Sequence, residues 1–200
     1  MSKNITLSKV FPFIVIVMAV IGLLASFALT YDTLSIAHNP NYKPSCNLNP
    51  VISCGDVINT RGDNIFGLPY PYYGIAAFAT LLTVGVTMLA GGKPNKYYWR
   101  AFLVVSGLGV IGAYALLLKS VFKIHALCPF CLSVDVATTT IFWYALLYIV
   151  DNKYLVLNNT TFKKIYPFIR RHHLDILLFW FILVIAFLLN HFWYYYGKHL

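Results

Sequence analysis

The sequence predicts an all-α integral membrane protein with five transmembrane helices. Apolar residues make up 60% of the chain and charged residues only 10%, and the mean hydropathy is +0.71. This composition lies outside the range of soluble globular domains. Five apolar stretches are long enough to cross about 30 Å of hydrocarbon, which takes roughly 20 helical residues. None of them alternates polar with apolar residues, as a barrel strand would.

Each stretch is assigned to a helix because backbone groups in lipid must be paired within their own segment. The first has a basic start, as a signal peptide would, but its apolar run is longer than that of a signal peptide, so we expect a retained helix. The second is short, and the fourth carries Asp135. Within a single predicted domain of residues 1–200, the five helices cover residues 10–30, 73–90, 99–118, 128–150 and 174–194.

The basic residues predict the orientation of these helices. With the N-terminus in the cytoplasm, ten of the 15 Lys and Arg residues fall on the inner side and five on the outer side. This agrees with the positive-inside rule. The formal net charge of +9 then reflects topology and contact with membrane lipid, and no nucleic-acid partner is predicted. We expect a multi-pass protein of the inner or plasma membrane with a long outer loop at residues 32–72.

The chain has four cysteines, and the predicted topology places all of them on the extracytoplasmic side. Cys46 and Cys54 lie in the outer loop, whereas Cys128 and Cys131 lie at the outer start of the fourth helix. Disulfides persist outside the cytoplasm, so this side permits both structural and catalytic bridges. The loop contains several proline turn signals, which predict an ordered cap with a short helix after Ser53 or Cys54.

The motif Cys128-Pro129-Phe130-Cys131 indicates redox chemistry. A thiol at a helix N-terminus has its thiolate stabilised by the positive end of the helix dipole, and proline suits the first helical turn. Two static bridges or a zinc site with four cysteine ligands are the alternatives. Such zinc sites usually combine two closely spaced pairs, whereas seven residues separate Cys46 from Cys54. We predict a redox site and no metal.

An ordered set of short motifs resembles the bacterial branch of the vitamin K epoxide reductase family. The resemblance runs from about Phe11 to Val150 and is far more specific as a set than any one motif. The motifs, in chain order, are Pro44-Ser45-Cys46, Cys54-Gly55-Asp56-Val57, Phe66-Gly67-Leu68-Pro69, Gly74 and Cys128-Pro129-Phe130-Cys131.

The resemblance implies a four-helix bundle around a quinone pocket, capped by the outer loop, with a fifth helix alongside. It implies that Cys46 exchanges disulfides with a DsbA-like thioredoxin-fold partner, that Cys54 exchanges with Cys128, and that Cys131 faces a quinone, either menaquinone or ubiquinone. Relatives often continue into a fused thioredoxin domain, but only residues 197–200 follow the last aromatic cluster, so we expect a separate partner protein. The implied function is the generation of disulfide bonds for secreted proteins.

Two further residues are candidates for contact with the quinone. Thr60 lies six residues after Cys54, where the family places a hydroxyl residue that hydrogen-bonds a quinone carbonyl; a helix cap or turn residue is the alternative. Asp135 lies one helical turn after Cys131, on nearly the same face. A carboxyl group near the membrane interior is costly and usually functional, so Asp135 is either a proton relay or a polar contact between helices.

Two other functions would use the same four sulfurs. The first is a reductase of vitamin K epoxide or quinone, in which the quinol is the physiological product. The second is a non-enzymatic membrane scaffold with two structural disulfides, which would stay closed under mild reductant. Demand for secreted disulfides, as opposed to demand for quinol, distinguishes the first alternative from the disulfide-generating enzyme.

Overall fold

The structure is a computed structural model that describes residues 4–39, 41–58, 64–65, 67–92, 94–154 and 160–193. For residues 4–8, 64–65 and 160–164 it describes the backbone alone. In chain order its elements are α1 (Asn4–His38), α2 (Cys54–Ile58), β1 (Asn64–Ile65), β2 (Leu68–Pro69), α3 (Tyr70–Leu89), α4 (Lys96–Lys119), a π-helical turn (Ser120–Ile124), α5 (Pro129–Asp151), α6 (Thr160–Arg171) and α7 (His173–His191).

Five of the helices, α1, α3, α4, α5 and α7, are long and apolar enough to cross a membrane. The prediction of an all-helical membrane protein with five spans is therefore confirmed for the described part of the chain. The strands β1 and β2 form only a two-residue antiparallel pair in the outer loop, just before α3. The short helix expected in that loop is present as α2, which begins at Cys54.

The boundary between the first helix and the outer loop differs from the prediction. The sequence predicts a helix end at residue 30 and a loop from residue 32, but α1 continues unbroken to His38. The apolar run ends near Thr30, yet no helix breaker follows until Pro40, which disfavours helical geometry in the residue before it. Asp32 therefore lies on a helix, and the loop runs from residue 39 to Pro69.

An additional helix, α6, lies between α5 and α7. Its sequence is too short and too polar for a membrane span, which is why hydropathy does not predict it. The Tyr166 hydroxyl donates a 2.6 Å hydrogen bond to the Asp151 carboxylate, and Arg170 forms a 3.3 Å salt bridge with the same carboxylate. These contacts fix α6 against the end of α5 and away from the cysteines.

The spanning helices pack as a bundle of four with one helix at its side. α1 packs against both α3 and α5, α4 packs against α5, and α7 touches α5 over a small area. Glycines allow α1 and α3 to approach closely, because a Cβ atom at Gly22 would lie 2.3 Å from the Phe78 ring. At one end, Phe11 stacks on Tyr148 and both rings contact Trp99. The sulfur-bearing loop covers the opposite end.

Candidate active site

Cys46 and Cys54 are joined by a disulfide in the outer loop. Their sulfurs are 1.98 Å apart and their Cα atoms 5.7 Å apart. Both residues are buried, and Cys54 has no exposed surface at all. Leu29 of α1 and Cys128 belong to the same buried cluster. The loop pair is thus packed into the protein rather than presented on a free tether.

Asparagine side chains hold the loop around this disulfide in shape. The Asn49 Oδ1 atom accepts hydrogen bonds from the backbone N–H groups of Val51 and Ile52, at 3.0 and 2.7 Å. The Asn47 Oδ1 atom accepts a 2.9 Å bond from the Gly55 N–H. Asparagine favours such turns because its short side chain reaches neighbouring backbone donors. The backbone on both sides of the disulfide is therefore ordered by local contacts.

A backbone bridge brings the loop pair to the second cysteine pair. The Leu127 N–H donates to the Val51 carbonyl at 2.7 Å, and the Ser53 N–H donates to the Leu127 carbonyl at 3.0 Å. This short parallel bridge places the residue after Ser53 beside the residue after Leu127. Those two residues are Cys54 and Cys128, so the bridge sets the approach of their sulfurs.

The segment before Cys128 is fixed by the end of α4. The π-helical turn is followed by His125 in the left-handed conformation, with φ of 58°. The Ser120 hydroxyl donates to the carbonyl of Ala126. A π-helical turn inserts an extra residue into the helix and is frequent at functional sites. The chain is thereby turned so that α5 begins at Pro129 with Cys128 as its N-cap.

The sulfurs of Cys54 and Cys128 lie 3.2 Å apart, within contact distance for disulfide exchange. Cys128 and Cys131 are both free thiols, and the Cys131 N–H points to the Cys128 sulfur at 3.4 Å. A hydrogen bond from the Cys131 thiol lowers the pKa of Cys128, the N–H groups of Cys131 and Phe130 lower it further, and burial opposes them. The arrangement therefore favours a thiolate at Cys128, aimed at the sulfur of Cys54.

Loss of the Cys131 thiol should move the reactivity of Cys128 to higher pH. In a chain with alanine at positions 46 and 54, we expect Cys131→Ala to slow alkylation of Cys128 at pH 7 by about threefold to tenfold, because the main donor to its thiolate is gone. Alkylation by a neutral reagent, followed by mass spectrometry between pH 5 and 9, measures this. Cys131→Ser keeps a donor and should change the rate less. An identical pH profile for all three chains would contradict the assignment.

A cavity of about 410 Å³ lies beside the second cysteine pair, between the helix ends that the cysteine-bearing loop covers. Its walls are mainly apolar, with Leu29 of α1 and Leu116 of α4 among them, and Cys131 and Asp135 both line it. The size and the largely apolar lining are typical of pockets for small organic ligands. The sulfurs of Cys128 and Cys131 thus lie at the edge of an apolar cavity rather than in open solvent.

A buried hydroxyl in the cavity wall fits a ligand with hydrogen-bonding oxygens. Ser26 is only 1% exposed, and among the described residues its Oγ atom has no hydrogen-bond partner. It lies against Gly74, where a Cβ atom would come within 2.5 Å of that oxygen. Buried polar atoms in native proteins are usually paired, so an unpaired one calls for a partner. A quinone, with an apolar ring and two carbonyl oxygens, matches these residues.

The structure places the other predicted site residues as follows. Asp135 is 8% exposed and lines the cavity one helical turn from Cys131, as its sequence spacing implies. Thr60 lies outside the described residues. Sequence reasoning missed Ser26, which has no distinguishing signal, and Asp32, which is buried beside Cys46. The signal for Asp32 is visible in retrospect, since it is the one acidic residue before Asp56 and follows an apolar run.

Fold and site together define a helical membrane protein in which two cysteine pairs meet beside an apolar cavity. Residues 13–146 match the model of the vitamin K epoxide reductase family. This match covers both cysteine pairs and four of the five spans, α1, α3, α4 and α5, for most or all of their length. The chain belongs to the vitamin K epoxide reductase family, and the resemblance inferred from the sequence is confirmed. As a member of this family it is an oxidoreductase of the type that acts on quinones.

Proposed function

We propose that the protein is a quinone-dependent thiol oxidoreductase that reoxidises a separate DsbA-like thioredoxin-fold partner, and so generates disulfide bonds for secreted proteins. The 3.2 Å contact between the sulfurs of Cys54 and Cys128 carries the proposal. It links a cysteine pair in the outer loop to a pair at the cavity. A purely structural role would not require the free thiol of Cys128 to contact the Cys46–Cys54 disulfide.

The first half of the reaction takes place in the loop. A thiolate of the reduced partner attacks the Cys46 sulfur, a bond forms between partner and Cys46, and the bond to Cys54 breaks with its electron pair on the Cys54 sulfur. The second partner thiolate then attacks its own mixed disulfide and releases Cys46 as a thiol. The partner leaves oxidised, and the loop pair holds two electrons more than before.

The second half transfers these electrons to the helix pair. The Cys54 thiolate attacks the Cys128 sulfur of a closed Cys128–Cys131 disulfide, and the electron pair leaves on Cys131 at the cavity wall. Cys46 then attacks Cys54, which restores the loop disulfide and frees Cys128. In the structure, Cys46 and Cys54 form a disulfide and Cys128 and Cys131 are free thiols, which are the bonds expected after this transfer.

The helix pair is reoxidised at the cavity. A quinone accepts two electrons and two protons when it is reduced, and the residues of the cavity wall fit such a group. Cys131 faces the cavity and supplies the electrons, and Asp135 lies close enough to carry a proton. Ser26 and, by its family position, Thr60 are the candidate hydrogen-bond donors. Menaquinone and ubiquinone both present two ring carbonyl oxygens to such donors.

The proposed orientation puts the loop and both cysteine pairs on the extracytoplasmic side. The basic residues support it, because the N-terminal segment, the junction of α3 with α4 and the segment between α5 and α7 together carry ten of the 15 Lys and Arg residues. Oxidising conditions outside the cytoplasm depend on enzyme and quinone routes of this kind rather than on a thiol buffer. The partner would then meet Cys46 on the side where secreted proteins fold.

The proposal is tested by following quinone absorbance in detergent with purified protein and a reduced thioredoxin-fold oxidase. We expect quinone consumption, with one partner disulfide formed per quinone, and a fall of about a thousandfold or more when Cys128 is replaced by alanine. Folded protein that consumes no quinone with any partner would indicate structural bridges. Quinone or epoxide reduction driven by a small dithiol but by no protein partner would indicate an enzyme that makes quinol.

A further inference from the structure

The outer end of α1 carries a buried carboxylate against the loop disulfide. Asp32 is 4% exposed, and its Oδ2 atom lies 3.9 Å from the sulfur of Cys46. Its Oδ1 atom accepts a 3.1 Å hydrogen bond from the Tyr42 hydroxyl. Burial first, and then the hydrogen bond and charge of Asp32, raise the pKa of the Tyr42 phenol, which therefore remains a donor. The mechanism above assigns no task to this carboxylate.

A carboxylate in this position disfavours a second negative charge on its neighbour. Like charges a few ångströms apart destabilise each other, and the effect is stronger where water is excluded. When Cys46 is reduced, its thiolate would lie against the Asp32 carboxylate, whereas the Cys54 sulfur lies against the Cys128 sulfur. In disulfide exchange the sulfur that is the better thiolate is the better leaving group. The two sulfurs of the loop disulfide are therefore unequal.

We propose that Asp32 sets the direction of electron flow by making Cys46 the poorer leaving group of the loop disulfide. This inference rests on the proposed relay and adds a directing residue to it. Attack by the partner on Cys46 expels Cys54 and is favoured. Attack by Cys128 on Cys54 expels Cys46 against the carboxylate and is opposed. In the second case a Cys54–Cys128 bond forms, the Cys46–Cys54 bond breaks, and the electron pair goes to Cys46.

The reverse step is the attack of Cys128 on Cys54, and it has to be opposed because the two sulfurs are already in contact. With the loop pair closed and the helix pair reduced, the Cys128 sulfur stands 3.2 Å from Cys54 and has a lowered pKa. Without a penalty on Cys46, electrons would return to the loop and to the partner. The carboxylate keeps them on the helix pair until the cavity acceptor takes them. Among the described residues, the titratable groups around this site are Asp32, Tyr31, Tyr42, Cys54 and Cys128, and Lys43 is exposed in the loop.

The test measures the reactivity of Cys46 without partner or quinone. In a Cys54→Ala chain with the Cys128–Cys131 disulfide closed, Cys46 is alkylated with neutral iodoacetamide and its peptide followed by mass spectrometry. We expect Asp32→Asn to accelerate alkylation at pH 7 by about tenfold and to lower the pH of half-maximal rate by about one unit. Asn keeps the shape of the side chain and an acceptor for Tyr42, so packing changes little.

Matched variants separate the charge effect from a structural one. Asp56→Asn removes an exposed carboxylate from the same loop and should leave the rate within about twofold of the parent, as should Asp32→Glu, which keeps the charge. If Asp32→Asn does not fold, the double change Asp32→Ala with Tyr42→Phe removes the carboxylate together with its donor and should give the same acceleration. A rate for the charge-free variants no faster than that of Asp56→Asn overturns the proposal.

A second measurement tests whether the charge of Asp32 affects disulfide exchange between the two cysteine pairs. In a Cys131→Ala chain, the remaining sulfurs divide between a Cys46–Cys54 and a Cys54–Cys128 disulfide. We expect Asp32→Asn to shift this ratio toward Cys54–Cys128 by about tenfold at pH 10, where the released Cys46 is a thiolate, and only slightly at pH 7, where it is mainly a neutral thiol. An unchanged ratio of the two disulfides would contradict the directing role of Asp32 but not the relay, because alkylation and the disulfide ratio are both measured without turnover. Absence of any partner-driven turnover in the parent chain counts against the relay instead.

Discussion

Replacing Cys131 with alanine should abolish quinone reduction from every electron donor, whereas replacing Cys46 should abolish only the reaction driven by a protein partner. Cys128 and Cys131 both line the cavity, and a chain without Cys131 cannot close the Cys128–Cys131 disulfide whose formation releases two electrons there. Cys46 lies in the loop, and a small dithiol that enters directly can bypass it. We expect a loss of about a thousandfold or more for Cys131→Ala with both donors. For Cys46→Ala we expect the same loss with the partner but less than about threefold with dithiothreitol.

Quinone absorbance under single-donor conditions measures this difference. Cys54→Ala is the matched variant, because it leaves Cys46 unbridged and should behave as Cys46→Ala does. Each chain is checked for its fold by circular dichroism and for its remaining disulfide by thiol counting. Equal loss in Cys46→Ala and Cys131→Ala with the small dithiol would contradict the division of roles between the two pairs.

Adding one methyl group at Gly22 should destabilise the protein strongly. A Cβ atom there would lie 2.3 Å from the Phe78 ring, which is buried between α1 and α3. Overpacking of this kind costs about 1–3 kcal/mol and often more when the neighbour cannot move. We expect Gly22→Ala to lower the thermal midpoint in detergent by roughly 5–10 °C. Activity should fall at temperatures where the parent is stable, because α1 and α3 both line the cavity.

The chain offers a matched control for this change. Gly112 lies in α4, and apart from the backbone of its own helix no atom of the described residues comes within 4 Å of its Cβ position, so Gly112→Ala should be neutral or slightly stabilising through helix propensity. A smaller ring neighbour should also relieve the clash. Gly22→Ala combined with Phe78→Leu is expected to lose less stability than the two single changes added together. A simple sum would show that the two residues do not contact each other.

The spanning helices and the redox motif were accessible from the sequence because both depend on local properties. A run of about 20 apolar residues can satisfy its backbone in lipid only as a helix, whatever surrounds it. The position of Cys128 at the start of a helix follows from Pro129, which suits the first turn. The sequence predicts the end of α1 eight residues too early, because hydropathy marks where lipid ends and not where a helix ends. The helix ends at His38, two residues before the first proline that follows in the sequence.

The sequence alone determined the class of the protein: a helical membrane protein with two cysteine pairs and the motif order of the vitamin K epoxide reductase family. Only the tertiary structure decided which groups meet. The contact of Cys54 with Cys128 depends on the backbone bridge between Ile52 and Leu127, and the contact of Asp32 with Cys46 depends on the loop folding back over α1. These pairs join residues from separate elements. Local periodicity carries no information about such contacts, because they arise from the packing of the whole bundle.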